Sequence, residues 1–212
     1  MKVRNARQTF LNCALLIALA VFLAATASSG SRQAESRKSG AQRVFQIEPA
    51  QSKVHWTLGT TLHTVHGTFV LNHGDLRIAF EDTKASGEIV VDAQSGESGN
   101  DSRDKKMHGE ILESRKFSTI VFHPDRIEGK IPSEGSADVQ LHGVFSLHGS
   151  DHEITLPVHA DVTGNHWKGN AKFTIPYIQW GLKNPSNFLL KTDPQVGIEL
   201  ELSGTVATDS GK

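Results

Sequence analysis

The sequence is short of several things, and each shortage closes a class of answer. A single cysteine, Cys13, in 212 residues excludes an internal disulfide and a thiolate zinc site. Neither sign of charge dominates: Lys+Arg 22 stand against Asp+Glu 23, so the overall balance steers the chain toward neither nucleic acid nor an anionic membrane surface. Long apolar runs are missing after Ala25. There is no Gly-x-Ser-x-Gly elbow, no Gly-rich phosphate loop opening a helix and no helical His-Glu-x-x-His pair, and nothing in the sequence argues for an enzyme.

The one long apolar run lies at the start. Lys2, Arg4 and Arg7 precede Leu11 to Ala25, and Ala25-Thr26-Ala27 supplies the small-x-small pattern of a signal-peptidase site. Residues 1–27 therefore read as an export signal cleaved near Ala27, which makes the product periplasmic or secreted. The run is short for a bilayer span, so no stable membrane anchor is expected. Residues 28–42 are small, polar and charged with nothing to bury, and read as a disordered leader. The folded domain is expected over residues 43–208.

From Arg43 onward short runs with a period of two recur, from Val54, Trp56 and Leu58 to Val196 through Leu202, and the sequence carries Gly 19. Asn72 to Asp75, Glu128 to Lys130, Gly149 to Asp151 and Thr163 to Asn165 read as turns between them. Roughly eight strands with one polar and one apolar face predict an all-β fold, an antiparallel barrel or sandwich. If Ser150 and Asp151 form a two-residue turn, Phe145 faces Leu156, Leu141 faces Ala160, and His142 faces His159 on the opposite surface.

One segment refuses this pattern. Between Ala93 and Phe117 the chain is long and charged, with Met107, Ile111 and Leu112 near helical spacing. It reads either as a short helical insertion lying as a lid on an open barrel end or as a surface excursion anchored by three apolar side chains. Eleven histidines are present, and a cross-strand pair such as His142 and His159 has chelating geometry. A catalytic zinc needs three convergent ligands, however, and the spacing assembles none, so no metal is assigned.

Four stretches in order, AQSKVHWTL with VHGTFVL, ASGEIVVDAQSGESGNDSRDKKM with FSTIVF, LHGVFSLHGSDHEITLPVHADV, and GNAKFTIPYIQWGLKNPSNFLLKTDPQVGIELEL, resemble the YceI-like family of exported bacterial polyisoprenoid-binding proteins. The specific marks are Gly143, Leu147 and Gly149, then Asn100, Arg103 and Asp104, then Trp180-Gly181-Leu182. The likeness covers about residues 44–206. It implies an extended, lipocalin-like antiparallel β-barrel whose interior holds a polyisoprenoid, a quinone tail or another amphiphilic lipid, with no enzymatic activity and no other cofactor. Gln51, Thr60 and Lys106 stand where the family often carries histidine, and Tyr177 where many members have arginine, so headgroup contacts are expected to differ.

By strand parity the inward set comprises Trp56, Leu58, Phe69, Leu71, Ile89, Phe122, Phe145, Leu147, Leu156, Val158, Phe173 and Ile175, with Tyr177 and Trp180 at the rim. Parity alone leaves two readings open. The set either lines a tunnel for a long apolar ligand or packs into a solid core, and a solid core would make the protein a secreted interaction or stress-response module.

Overall fold

The computed structural model describes residues 42–79 and 83–209. The export signal and nearly all of the expected leader lie outside the described residues. Gln42, assigned to that leader, instead opens the first strand.

Nine antiparallel strands follow in chain order: β1 (Gln42–Ile47), β2 (Lys53–Gly59), β3 (Thr64–Ala79), β4 (Ala85–Glu97), β5 (Thr119–Glu128), β6 (Gly135–Leu147), β7 (Ser150–Thr163), β8 (His166–Ile175) and β9 (Val196–Asp209). Each pairs with the next in a meander from β2 to β9, and β9 returns to β1 and β2. The first two strands share one position in the wall. β2 pairs with the first part of β3, from Thr64 to Phe69, and β1 with its last part, from Asp75 to Ala79. A 3₁₀ turn at Pro49–Gln51 separates them. Nine segments thus close an eight-position barrel, which leaves no open sheet edge.

Side-chain alternation makes the wall two-faced. Along β6, Val139, Leu141, Phe145 and Leu147 are buried while Asp138 and Gln140 are exposed. Each large side chain fully withdrawn from water contributes about 1.5–3 kcal/mol, which holds the register once the hydrogen bonds are in place. Pro124 in β5 has no N–H for the ladder, and the β5–β6 register slips immediately after it.

The β6–β7 hairpin differs from expectation. Its turn is His148-Gly149, both at positive φ (54° and 76°), the pattern of a type I′ turn, whose twist suits a two-residue hairpin. Leu156 therefore faces Leu141 instead of Phe145, and Phe145 faces His152. The pairing is displaced by four residues, an even number, so every side chain keeps its predicted face. His142 now faces Thr155, and His159 faces Asp138, so the expected histidine pair does not form. The Asn72–Asp75 stretch is no turn either. β3 runs through it, absorbing the irregularity as register shifts between Thr68 and Val70 and between Leu71 and His73.

The connection after β4 holds one six-residue helix, α1 (Asp101–Lys106), which runs into a π-helical turn at Met107–Ile111. Asn100 caps it, its Oδ1 accepting from Arg103 N at 3.0 Å. No helix among the described residues is long and apolar enough to cross a membrane.

Candidate functional site: a half-filled barrel

The barrel interior is divided along its length. In one half, Phe45, Ile127, Val139, Leu141, Val162 and Trp167 are buried members of the apolar core, and none of them lines the cavity in the other half. Phe45 meets Trp167 edge-on at 5.5 Å, and the Trp167 indole N–H donates to Gln46 O at 3.2 Å. Arg43, 6% exposed, belongs to this half: its Nη1 donates to Pro132 O at 2.6 Å and Ile131 O at 3.2 Å, and its guanidinium lies over the Phe45 ring. Burial pushes the Arg43 pKa down, and the two carbonyls with the ring offset that desolvation.

The other half encloses a cavity of about 200 Å³. The changeover falls within individual strands. Phe145 and Leu147 of β6 line the cavity and Leu141 does not; Phe173 and Ile175 of β8 line it and Trp167 does not. Of the predicted interior set, Trp56, Leu58, Phe69, Ile89, Phe122, Phe145, Leu147, Leu156, Phe173 and Ile175 converge here. Leu71 and Val158 do not: Leu71 is buried in the core and Val158 packs against it, outside the cavity. Phe145 and Phe173 meet edge-on across the lining at 6.4 Å.

Two elements close over this half. The first is the insertion, whose Met107, Ile111 and Leu112 all face the cavity. It is fastened below by His108, with Nε2 at 2.8 Å from Gly96 O and Nδ1 at 2.9 Å from Ser114 Oγ. A carbonyl only accepts, so Nε2 carries the proton, and in the neutral ring Nδ1 accepts from the serine. The sequence left open a lid or an anchored surface excursion here; the three apolar side chains form part of the cavity wall.

The second is the stretch between β8 and β9. Tyr177 and Leu182 are buried and line the cavity, together with Pro185. Tyr177 was expected at an exposed rim. It is 5% exposed instead, because its hydroxyl donates to Asp193 O at 2.9 Å and lies 3.3 Å from Thr192 Oγ1. Burial pushes its pKa up, with the Thr192 hydrogen bond opposing and the nearby Asp193 charge adding to the rise. Trp180 remains outside the lining, stacked on His152. The two closing elements are tied together: Lys106 Nζ donates to Pro185 O at 3.1 Å, and Lys183 pairs with Glu110, whose carboxyl it holds below the usual carboxylate range.

Carbon dominates the wall. Its ionisable members are Tyr177, already hydrogen-bonded, and two cations that parity could not find, Arg103 and Lys106. Both are half-buried. The sequence signals for the flank beside α1 were the helical spacing of Met107, Ile111 and Leu112, the Asn100-Arg103-Asp104 mark and the departure from the family at Lys106. No group of three or more His, Cys, Asp or Glu side chains that would hold a metal occurs among the described residues.

The sequence profile of the YceI-like domain matches residues 45–204, spanning β1 to β9. The chain belongs to the YceI-like family. No curated protein matches it. Among solved structures, the chain is similar to BcnA of Burkholderia cenocepacia, at TM-score 0.62 and 14% identity over 75% of this chain and 99% of that one. It is also similar to a polyisoprenoid-binding domain of Saccharophagus degradans implicated in plant cell wall breakdown, at TM-score 0.59 and 14% identity over 77% of this chain and 98% of the other. At that identity the likeness is one of fold, and of the barrel and sandwich that the strand alternation left open, the lipocalin-like barrel implied by the family resemblance is the architecture observed.

Proposed function

We propose that this YceI-like protein is an exported carrier that holds a polyisoprenoid, a quinone tail or a similar long apolar chain in the open half of its barrel, for transport or storage. The division of the interior is the observation that carries this reading. A barrel of this strand number has room either for side chains or for one slim ligand, and here one half is packed while the other keeps a cavity walled by Phe145, Phe173, Trp56 and their neighbours. The description of the Saccharophagus degradans domain as polyisoprenoid-binding supports the choice of ligand.

The energetics suit a tail better than a polar metabolite. Each methylene equivalent taken from water contributes about 0.8 kcal/mol before ordering costs, so a few isoprene units give useful affinity without any specific polar contact. The wall is almost wholly apolar and holds no carboxylate or imidazole, which supports a binding role. The rival reading, a secreted interaction module, draws on Leu62, Phe188 and Leu189, which are 79%, 94% and 84% exposed. It requires a filled interior, and the cavity counts against it.

Trp56 sits in the wall and supplies the assay. Titration with a short-chain ubiquinone is expected to quench its fluorescence with saturation at one ligand per chain. Absence of quenching in the wild type, with Trp56→Phe as the background control, would remove the support for tail binding. Export is tested separately by intact mass of the protein from its own host, which is expected to begin near Ser28.

A further inference from the structure

The cavity wall contains two charges, and both are positive. Arg103 and Lys106 lie on successive turns of α1 and face the same cavity. Of the acidic groups nearby, Asp104 accepts from Ser98, Glu110 is held by Lys183 with Lys106 also acting on it, and Asp101 is exposed at the start of α1 and does not line the cavity. Among the described residues the Arg103 guanidinium has no hydrogen-bond or ion-pair partner, and Lys106 uses one of its three donors on Pro185 O at 3.1 Å. The remaining polar group of the wall, the Tyr177 hydroxyl, is spent on Asp193 O.

From this we infer that the site selects lipids with an acidic headgroup, a phosphate or carboxylate, over neutral lipids with the same tail. The inference rests on the tail-binding reading above. When a tail fills the cavity, water leaves the flank beside α1, and Arg103 loses solvation without gaining a protein counter-charge. A neutral alcohol or quinone head replaces little of that solvation. An anionic head accepts charge-assisted hydrogen bonds from the guanidinium fork and the ammonium together, and these are about twice as strong as neutral ones. A site built around unpaired donors discriminates against ligands that leave them unpaired.

The test pairs geranylgeranyl monophosphate with geranylgeraniol, and palmitate with palmityl alcohol, in calorimetric titrations of the wild type, Arg103→Gln and Lys106→Gln. Both acidic ligands are expected to bind at least about tenfold more tightly than their alcohols, with a preference that weakens as salt rises. Each variant is expected to lose most of that preference, with its folding checked separately by circular dichroism and thermal unfolding. A strong preference for the phosphate alone identifies a phospholipid-type head, and a strong preference for both acids a general anion site; either outcome supports the inference. Equal binding of acids and alcohols by the wild type would overturn it and leave the tail-binding reading standing. An acid preference that survives both substitutions would also overturn it. Failure of all four ligands to bind would overturn both readings together.

Discussion

His152 lies flat against Trp180, the two rings 4.0 Å apart and within 3° of parallel. The indole in turn sits 5.8 Å from Phe145, which lines the cavity. The stretch between β8 and β9 is thus clamped onto β7 by a contact between a strand residue and a loop residue, with the cavity wall directly behind it. His152 Nε2 is buried without a partner, so the contact is held by ring packing and not by a hydrogen bond at that atom.

A double-mutant cycle measures the clamp. Trp180→Ala and His152→Ala are each expected to lower unfolding free energy in urea, and their coupling is expected at about 0.5–1.5 kcal/mol, the range for paired rings. Additive effects would mean that the stack contributes nothing beyond burial.

The divided interior predicts unequal costs for equal truncations. Phe45→Ala, in the packed half at 2% exposure, is expected to cost about 3–5 kcal/mol. Phe173→Ala enlarges a space that already exists, so its cost is expected below about 3 kcal/mol. Chemical denaturation of the two variants gives the comparison, and equal losses would argue that the cavity half is as tightly packed as the other.

The hairpin at His148-Gly149 predicts a backbone effect. An alanine at position 149 has to adopt positive φ, and its Cβ would press on the Phe117 ring. Gly149→Ala is expected to cost about 1–3 kcal/mol by urea unfolding. Alanine at Ser150, placed in the turn on sequence grounds but observed as the first residue of β7, is expected to stay within about 0.5 kcal/mol.

Tyr177 predicts an alkaline limb. Its folded pKa is raised above the ordinary 10.0, so the folded state holds the phenol proton more tightly than the unfolded chain. Its contribution is complete below pH 10 and is lost as pH rises through the folded value. Tyr177→Phe is expected to cost about 1–2 kcal/mol at neutral pH through the unpaired Asp193 carbonyl, and that difference from wild type is expected to shrink above pH 10. A difference independent of pH would contradict the burial account.

Sequence pattern revealed most of this barrel because period-two burial is a property of single strands. Val139, Leu141 and Phe145 report their face whatever they pair with, and a register error of four residues left those faces unchanged. Pairing itself was less legible: Ser150 and Asp151 have the composition of a turn, but the chain turns at His148-Gly149, both at positive φ. The site was legible only where it is made of strands. Arg103 and Lys106 reach the cavity from α1, and Tyr177 is drawn inward by a carbonyl at Asp193, relationships that neither parity nor helical spacing contains. The half-filled interior was equally hidden, since Leu71 and Phe69 alternate alike whether they meet a ligand or another side chain.

Native mass spectrometry of the protein purified from its own host, followed by lipid extraction, tests the central claim most directly. The account predicts one bound lipid per chain with a long apolar tail, released on unfolding and absent from a Phe145→Asp variant that still folds by circular dichroism. Folded wild-type protein that carries no lipid from its host, and takes up neither a polyprenyl compound nor a quinone when these are offered, would contradict it.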